Sequence, residues 1–302
     1  MPLAAPVLAV DIGGTKVDAA VVTAEGEVLR ESVARRATGR DNTRAGIAAN
    51  IRAAAEAALG AVPDVRVAAI GVGSAGPVDL PARSVSPLNL PDARGLVIDE
   101  VLGGLVDGPL TLALDGTCIA LAEHWRGALV GTRNAMAIVV STGVGGGLVL
   151  DGRPITGASG NAGHLGQTFV RTIEGDAAAA TLEAVAAGPG SVAWAREQGW
   201  IGETGVDLAA SYRGADPIAV AAVRRSAAAV GQAIAAAATL CDLEAVAVAG
   251  GFARVADDYV DLVRAAAAAA AVHDYARRCR VVASGLDGDG PLLGAAALAL
   301  RT

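Results

Sequence analysis

Residues 7–22 read VLAVDIGGTKVDAAVV, in which an apolar run, a glycine turn and a second apolar run follow one another. Short apolar runs on both sides of a glycine turn predict two β-strands joined by a tight loop. The same order returns in residues 135–150, AMAIVVSTGVGGGLVL. Two hairpins of one kind in one chain indicate a duplicated architecture with a glycine loop in each half.

Outside the hairpins, strand-like and helical segments alternate along the chain. A strand is predicted over residues 28–34, and apolar spacing predicts helices over residues 43–59, 217–240, 254–276 and 292–300. This alternation is typical of layered α/β proteins. The expected division is a small N-terminal lobe of residues 1–113 plus 290–302 and a large lobe of residues 114–289.

The composition argues against several classes of protein. Acidic residues outnumber basic ones by 31 to 24, and no basic run marks a nucleic-acid partner. The N-terminus lacks the basic start of a signal peptide, and the most apolar windows are short and rich in alanine, so we expect a cytoplasmic protein without a membrane span. Cys118, Cys241 and Cys279 lie far apart, which favours reduced core thiols over disulfides or zinc ligands.

The first glycine loop has the composition of a phosphate-binding turn. Adjacent Gly13 and Gly14 let backbone N–H groups approach an anion where a Cβ would collide. Thr15 adds a hydroxyl, and Lys16, the only lysine in the sequence, adds a compact positive charge. Asp11 at the strand end could hold Mg²⁺ through water. The alternatives are a common hairpin turn without a ligand and a lysine placed there by chance.

Residues 141–147, STGVGGG, form a second candidate phosphate loop, in which Thr142 and Gly143 would contact phosphate. A third apolar strand ends at Gly250 and Gly251, where the adenosine end of a nucleotide could lie against the backbone. Each of these segments is common in proteins that bind no nucleotide. The hypothesis therefore depends on their occurring together in this order.

Four segments together resemble the ROK family of bacterial sugar kinases and repressors, over nearly the whole chain. DIGGTK and STGVGGG are similar to the family's two phosphate loops, GVGSAGPVD at residues 71–79 to its sugar-side turn, and PLNLPDARG at residues 87–95 to its NLPxWxG segment, with Ala93 where tryptophan is usual. The resemblance implies an actin-like ATPase (ribonuclease H-like) fold with two lobes around a central cleft. It also implies ATP with Mg²⁺ and phosphorylation of a hexose at its 6-hydroxyl. Many relatives are dimers, so a homodimer is a further expectation.

The resemblance also implies a catalytic base. The family has Asn-Asp where a strand ends and a helix begins, and the matching residues here are Leu114 and Asp115. Asp115 is expected to take the proton of the sugar hydroxyl as its oxygen attacks the γ-phosphoryl group. Helix capping is the alternative role, because Asp is a favoured N-cap residue.

The implied sugar contacts begin with Ser74, Ala75 and Gly76 of the sugar-side turn and with Asn89 of the NLP segment. Residues 174–183, EGDAAAATLE, match the family's zinc module but contain none of its three cysteines, so no zinc is expected.

Glu183, the last residue of that module, is retained and is expected to contact a sugar hydroxyl. A carboxylate in the first turn of a helix, facing the helix dipole, is its alternative role.

Three departures from the family pattern affect the sugar side. Leu114 replaces asparagine, His164 replaces a sugar-binding glutamate, and Gln167 replaces a histidine that often contacts both sugar and zinc. A pocket rejects ligands that leave its polar groups unpaired, so these changes alter which hydroxyl or amino pattern fits. The hypothesis is a modified hexose, such as the amino sugar kanosamine. An ordinary loop histidine is the alternative for His164.

Two other functions remain open at this point. ROK repressors carry an N-terminal DNA-binding segment, and we expect no room for one before Asp11. A non-catalytic sugar-binding protein would account for the altered sugar residues. The two intact phosphate loops favour a kinase over both.

Overall fold

The computed structural model describes residues 5–170, 178–286 and 288–301, and the chain folds into two compact units. The first unit combines the chain up to Val130 with Arg153–Gly163 and the residues from Leu286 onward. The second unit comprises Gly131–Gly152 and His164–Gly285.

Strands and helices alternate through both units. The strands are β1 (Val7–Ile12), β2 (Lys16–Val22), β3 (Ala34–Ala37), β4 (Ile70–Ser74), β5 (Val78–Asp79), β6 (Ser84–Val85), β7 (Leu96–Val97), β8 (Leu110–Leu114), β9 (Ala135–Val140), β10 (Val144–Leu150), β11 (Arg153–Ile155), β12 (Ala245–Ala249) and β13 (Arg280–Ala283). The α-helices are α1 (Arg44–Gly60), α2 (Ile98–Leu102), α3 (Asp115–Arg126), α4 (Leu182–Ala186), α5 (Gly188–Glu197), α6 (Gly205–Arg213), α7 (Pro217–Cys241), α8 (Tyr259–Ala270), α9 (Asp274–Arg277) and α10 (Gly290–Arg301).

The main sheet of the first unit has the strand order β3-β2-β1-β4-β8. β1 pairs antiparallel with β2 and parallel with β4, which is in turn parallel to β8. Asp11 of β1 lies beside Gly73 of β4, and Gly73 lies beside Ala113 of β8. The carboxyl ends of these three parallel strands therefore meet at one edge of the sheet.

The sheet of the second unit contains the neighbours β10-β9-β12-β13 in that order. β9 pairs antiparallel with β10 and parallel with β12, which is parallel to β13. The same plan relates β2, β1, β4 and β8 in the first unit. The duplicated architecture predicted from the two glycine hairpins is therefore confirmed.

Helix termini follow from local side-chain chemistry. The Thr43 side chain accepts a hydrogen bond from the amide of Gly46, and α1 begins at the next residue. Asp216 accepts hydrogen bonds from the amides of Ile218 and Ala219, both at 2.9 Å, and α7 begins with Pro217. The helices predicted over residues 43–59 and 217–240 are confirmed.

Two predicted elements differ from the structure. The strand expected over residues 28–34 is a 3₁₀ turn at Arg30–Ser32 followed by β3, because the Ser32 hydroxyl accepts the hydrogen bond of the Val21 amide at 2.8 Å. The helix expected over residues 254–276 is divided into α8 and α9. Ala271 adopts extended backbone angles there, and the Arg277 guanidinium donates to its carbonyl oxygen at 2.8 Å.

Helix α10 packs within the first unit through glycines. A Cβ built at Gly71 of β4 would lie 1.8 Å from the Ala295 oxygen, and one built at Gly294 would lie 2.1 Å from the Cys118 oxygen of α3. Because α3 packs on α10 in this way, it belongs to the first unit. The predicted boundary after residue 113 therefore differs from the division in the structure, which falls after Val130.

Helix α7 lies in the core of the second unit. Within the described residues it is the one helix long and apolar enough to cross a membrane by length and composition, although the sequence predicted none. Most of its apolar window (61%) is buried inside the protein. Its Gly231 lies against Ala266 and Ala267 of α8, where a Cβ would approach Ala266 to 2.5 Å. These contacts are those of a core helix.

Candidate active site

Asp11 and Asp115 are placed together by the parallel strands of the first unit. Asp11 is the penultimate residue of β1, and Asp115 follows β8 directly. Between them Gly73 leaves space, since a Cβ there would lie 3.0 Å from the Cys118 sulfur and 3.7 Å from Asp11 Oδ1. Burial raises the pKa of the Asp11 carboxyl to about 7; the negative charges of Asp115 and Asp18 add to this rise, and Lys16 opposes it.

The buried Cys118 thiol is influenced by the same two carboxylates, Asp11 and Asp115. Its pKa is raised well above the usual value, first by burial and then by the charges of Asp11 and Asp115. The thiol therefore stays protonated beside the two carboxylates, and it is a core thiol as the sequence predicted. The structure thus brings together the residues predicted as metal-binding carboxylate and catalytic base.

Lys16 is paired with Asp18, a residue that the sequence reasoning missed. Lys16 Nζ lies 3.0 Å from Asp18 Oδ2, and the guanidinium of Arg35 also contacts this carboxylate, Nε at 2.5 Å from Oδ1. Burial alone would raise the pKa of Asp18, but the hydrogen bonds from Arg35 and Lys16 outweigh it and lower the pKa. Asp18 two residues after Lys16 on a strand was a readable signal, whereas Arg35 on a different strand gave none.

The first glycine loop is a tight turn held at both ends. The Gly13 amide donates to the Lys16 carbonyl at 2.9 Å, so this amide closes the turn. Thr38 donates its hydroxyl to the Gly13 carbonyl at 2.8 Å and its amide to the Thr15 carbonyl at 3.0 Å. The amides of Gly14 and Thr15 lie in the turn, outside the strand ladder.

The predicted sugar-side residues of the first unit lie around this turn. A Cβ at Gly14 would approach the Cβ of Asn89 to 3.0 Å, so the first glycine loop and the NLP segment are adjacent. Ser74 is fully buried and donates its hydroxyl to the Ala75 carbonyl at 2.9 Å, which favours a role in shaping the turn over direct sugar contact. Ala75 and Gly76 are half-buried at the same edge.

Asp115 is the first residue of α3, and Leu114 has the N-cap position. Leu114 offers no capping side chain, and Asp115 Oδ1 accepts the amide of Gly116 at 2.6 Å. The carboxylate therefore lies at a helix N-terminus, where the helix dipole favours its charge. The N-cap position, which was the alternative role for Asp115, belongs to Leu114, and the role of Asp115 as a base stays a prediction.

The second unit holds the second glycine loop. The Ser141 amide donates to the Gly143 carbonyl at 2.8 Å, and the Ser141 carbonyl accepts the amide of Gly188 at 2.9 Å. Gly250 has φ of +106°, and a Cβ there would lie 2.3 Å from the Val140 oxygen, so this position requires glycine. A Cβ at Gly251 would lie 3.5 Å from Ser141 Oγ. The two glycine segments predicted to bind nucleotide thus meet.

A cavity of about 550 Å³ opens beside these glycines. Its wall is formed by Ser141, Thr142, Gly188, Pro189, Val192, Glu203, Thr204, Gly205, Val206, Ala209, Arg213, Gly251, Phe252, Arg254 and Val255. Both apolar side chains and polar or charged side chains line it. Sequence reasoning predicted Thr142 and Gly251 of this wall, together with the loop that contains Ser141, and missed the remaining residues. The Gly188-Pro189 helix start was a local signal for one of the missed segments.

His164 and Glu183 lie in the second unit. The His164 carbonyl accepts the Gln167 amide at 3.2 Å in a 3₁₀ turn. Glu183 is in the first turn of α4, and its carboxylate is hydrogen-bonded to the amide of Val144 and to the Gln167 side chain. Part of the predicted zinc-module remnant, residues 174–177, lies outside the described residues, so the expected lack of zinc stays a prediction.

Two comparisons with known sequences bear on this site. The ROK family profile matches residues 7–302. The bifunctional enzyme NanE/NanK of Brucella melitensis is 32% identical over 298 residues, which are 97% of this chain and 54% of the relative, so the chain spans about half its length. N-acetylmannosamine kinase of Yersinia pseudotuberculosis is 33% identical over 273 residues, 86% of this chain and 87% of the relative.

A solved structure shares the fold. The ROK family glucokinase of Streptomyces griseus, in complex with glucose and AMPPNP, matches with a TM-score of 0.81 at 28% identity, over 98% of this chain and 100% of that chain. The fold is therefore the actin-like ATPase fold, as the family resemblance implied. With a profile match over nearly its whole length and relatives above 30% identity, the chain belongs to the ROK family.

Proposed function

We propose that this chain is an ATP-dependent sugar kinase that transfers the γ-phosphoryl group of ATP to the 6-hydroxyl of a hexose or amino-hexose. The observation that carries the proposal is the pair Asp11 and Asp115 at one sheet edge, close enough that Asp115 helps to raise the pKa of Asp11. Two carboxylates beside a glycine turn suit metal binding and proton abstraction together. The names of the relatives, N-acetylmannosamine kinase and glucokinase, support the same class of reaction.

In the proposed reaction, Asp115 is the general base. Its carboxylate accepts the proton of the sugar hydroxyl while that oxygen forms a bond to the γ-phosphorus, and the bond from this phosphorus to the bridging oxygen of ADP breaks. The carboxylate lies at the N-terminus of α3, where the helix dipole stabilises negative charge. Lys16, held by Asp18, supplies positive charge beside the glycine turn for the transferring group.

The carboxylates of Asp11 and Asp115 fit a Mg²⁺ ion, because their mutual repulsion in a buried place is relieved by a cation. Within the described ranges, no group of three or more His, Cys, Asp or Glu side chains is placed to hold a metal directly. Mg²⁺ commonly takes one or two carboxylates and completes its shell with water and phosphate. Asp11 would hold the ion through water, and the ion would neutralise phosphate charge.

The proposed nucleotide site of the second unit is the cavity beside Thr142, Gly143 and Gly251. The glycine turn would contact phosphate through its backbone amides, and Phe252 and Val255 would pack against the adenosine end. The AMPPNP in the Streptomyces griseus glucokinase supports ATP as the donor.

The proposed sugar preference rests on the retained Asn89 and on residues that depart from the family pattern. Asn89 lies beside the phosphate loop, and Leu114 and His164 replace an amide and a carboxylate expected from the resemblance. Exchanging a carboxylate acceptor for an imidazole changes which amino or hydroxyl pattern is satisfied. The 33% identity to an N-acetylmannosamine kinase supports an amino-hexose. The proposal further includes a cytoplasmic location and a homodimer. Sedimentation analysis would test the homodimer.

The test is Mg²⁺-dependent ATP consumption with glucose, mannose, glucosamine, N-acetylmannosamine and kanosamine, using wild type and Asp115→Asn. We expect turnover on at least one sugar and a loss of at least about 10³-fold in the variant, with ATP binding retained. Arg52→Gln, which removes an ion pair with Glu56 within α1, is the control and should keep full turnover. ATP binding without turnover on any sugar would instead indicate a non-catalytic sugar-binding or regulatory protein.

A further inference from the structure

The carboxylate of Glu183 lies directly against the second glycine loop. Glu183 Oε2 accepts the amide hydrogen of Val144 at 2.9 Å, and Oε1 accepts a hydrogen bond from Gln167 Nε2 at 3.2 Å. A Cβ built at Gly143 would lie 2.5 Å from Glu183 Oε2. Both oxygens of this carboxylate are thus bonded to protein, and one of them touches the loop backbone.

The Val144 amide lies where the second glycine loop ends and β10 begins. Val144 is the buried first residue of β10 and pairs with Val140, the last residue of β9, so its backbone fixes the end of the loop formed by residues 141–143. If its acceptor were lost, a buried N–H would be left without a partner, which costs more than an ordinary exposed hydrogen bond. Loss of Glu183 would therefore loosen the residues on which phosphate would rest.

We infer that Glu183 is a positioning residue for the phosphate loop of the second unit, and that the Val144 amide is the group through which it acts. This inference rests on the proposed function and replaces the direct sugar contact implied for Glu183 by the family resemblance. A loop held in its binding conformation before the nucleotide arrives loses less entropy on binding. The readout is therefore nucleotide affinity, and not sugar affinity.

The chain offers a matched control in the same short helix. Thr181 is the N-cap of α4, and its hydroxyl accepts the amide of Ala184 at 3.2 Å. Thr181→Ala weakens α4 without removing the acceptor of the Val144 amide. Glu183→Gln removes the charge and keeps an oxygen that can accept the same hydrogen bond.

The experiment is calorimetric titration of wild type, Glu183→Ala, Glu183→Gln and Thr181→Ala with AMPPNP and Mg²⁺, followed by KM values for ATP and sugar. Glu183→Ala should weaken AMPPNP binding about tenfold, whereas Glu183→Gln and Thr181→Ala should stay within about threefold of wild type. The KM for ATP should rise in the same order, and the KM for sugar should stay within about threefold. If the alanine variant does not fold, Glu183→Asp is used instead. Its side chain is one methylene shorter, which moves the carboxylate away from the Val144 amide, and it should also weaken AMPPNP binding.

Three results would overturn the inference. They are unchanged AMPPNP binding by Glu183→Ala, equal weakening by Glu183→Gln and Glu183→Ala, and a rise in the sugar KM alone. Wild type that binds no AMPPNP would overturn the proposed function and this inference with it. Wild-type binding that Glu183→Ala leaves intact would overturn the inference alone.

Discussion

Asp11 lies at the carboxyl end of β1, where burial raises the pKa of its carboxyl from an ordinary 3.8 to about 7. An Asp with a raised pKa in the folded state stabilises the fold at low pH, and this contribution is lost as the pH rises through the folded pKa. Asp18, opposite Asp11 across the hairpin, has its pKa lowered and behaves in the reverse sense. The two carboxylates, adjacent on one hairpin, therefore change the stability of the fold with pH in opposite directions.

We predict that Asp11→Asn changes the pH dependence of stability in the absence of metal. The wild type binds this proton in the folded state between about pH 4 and pH 7, so the variant should gain up to about 3 kcal/mol relative to wild type when the pH is raised from 5 to 8. Urea denaturation at the two pH values measures the difference. Asp18→Asn is the matched control, and it should lose stability at neutral pH and regain it toward acid. An Asp11→Asn difference that does not depend on pH would contradict the buried, charge-crowded state of Asp11.

At the scale of elements, two glycines decide how α10 packs. Gly71 of β4 leaves room for the Ala295 carbonyl, and Gly294 leaves room for the backbone of Cys118. Neither glycine has a positive φ, so close approach and not backbone conformation requires them. Helix α10 can lie on β4 and α3 only while both positions lack a Cβ.

We predict that Gly71→Ala destabilises the protein by about 3 kcal/mol or more, because its Cβ would lie 1.8 Å from a backbone oxygen that cannot move without α10. Gly60→Ala, at the last residue of α1, adds its methyl group to open space and should be neutral or stabilising by about 0.5 kcal/mol. Urea midpoints of the two variants give the comparison. Equal midpoints would show that α10 is not held against β4 in solution.

Sequence reasoning succeeded for elements whose cause is local. Both hairpins follow from apolar runs around glycine turns, and α7 follows from Asp216 and Pro217 at its start. It failed where the cause lies elsewhere in the chain: the hydroxyl of Ser32 replaces a strand hydrogen bond for Val21, and Arg277 takes the carbonyl that α8 would need to continue. The position of α3, which begins at Asp115, depends on α10, which begins only at Gly290.

The candidate site divides in the same way. Its glycine turns, Asp11 and Asp115 could be found because each lies at the end of an apolar strand. Arg35 and Thr38 could not, since they reach the first loop from a different strand and its edge. For Glu183, sequence alone could not show that its carboxylate is hydrogen-bonded to the Val144 amide, and the sugar contact expected for it stays a prediction.

At the scale of the whole molecule, each unit repeats one strand plan and holds its own glycine turn between its first two strands. The turn of the second unit meets the glycine pair Gly250 and Gly251, and these two residues have different roles. Gly250 is required by the fold, with φ of +106° and no room for a Cβ. Gly251 lines the cavity, and a Cβ there would meet only Ser141 Oγ at an ordinary 3.5 Å.

The Tm values measured with and without ligand should therefore distinguish the roles of these two glycines. AMPPNP at 100 times its Kd should stabilise wild type by about 2.7 kcal/mol, which corresponds to a rise in Tm of about 4 °C for a chain of this length. Gly251→Val should unfold near the wild-type Tm without ligand and lose most of the rise, because its side chain fills the cavity beside Thr142. Gly250→Ala should unfold several degrees lower before any ligand is added, since its methyl group would lie 2.3 Å from the Val140 oxygen. Differential scanning calorimetry with and without AMPPNP measures both effects. A full ligand-induced rise in Gly251→Val would mean that the nucleotide binds away from this cavity, whereas a normal apo Tm for Gly250→Ala would mean that β12 does not approach β9 as closely as their pairing requires.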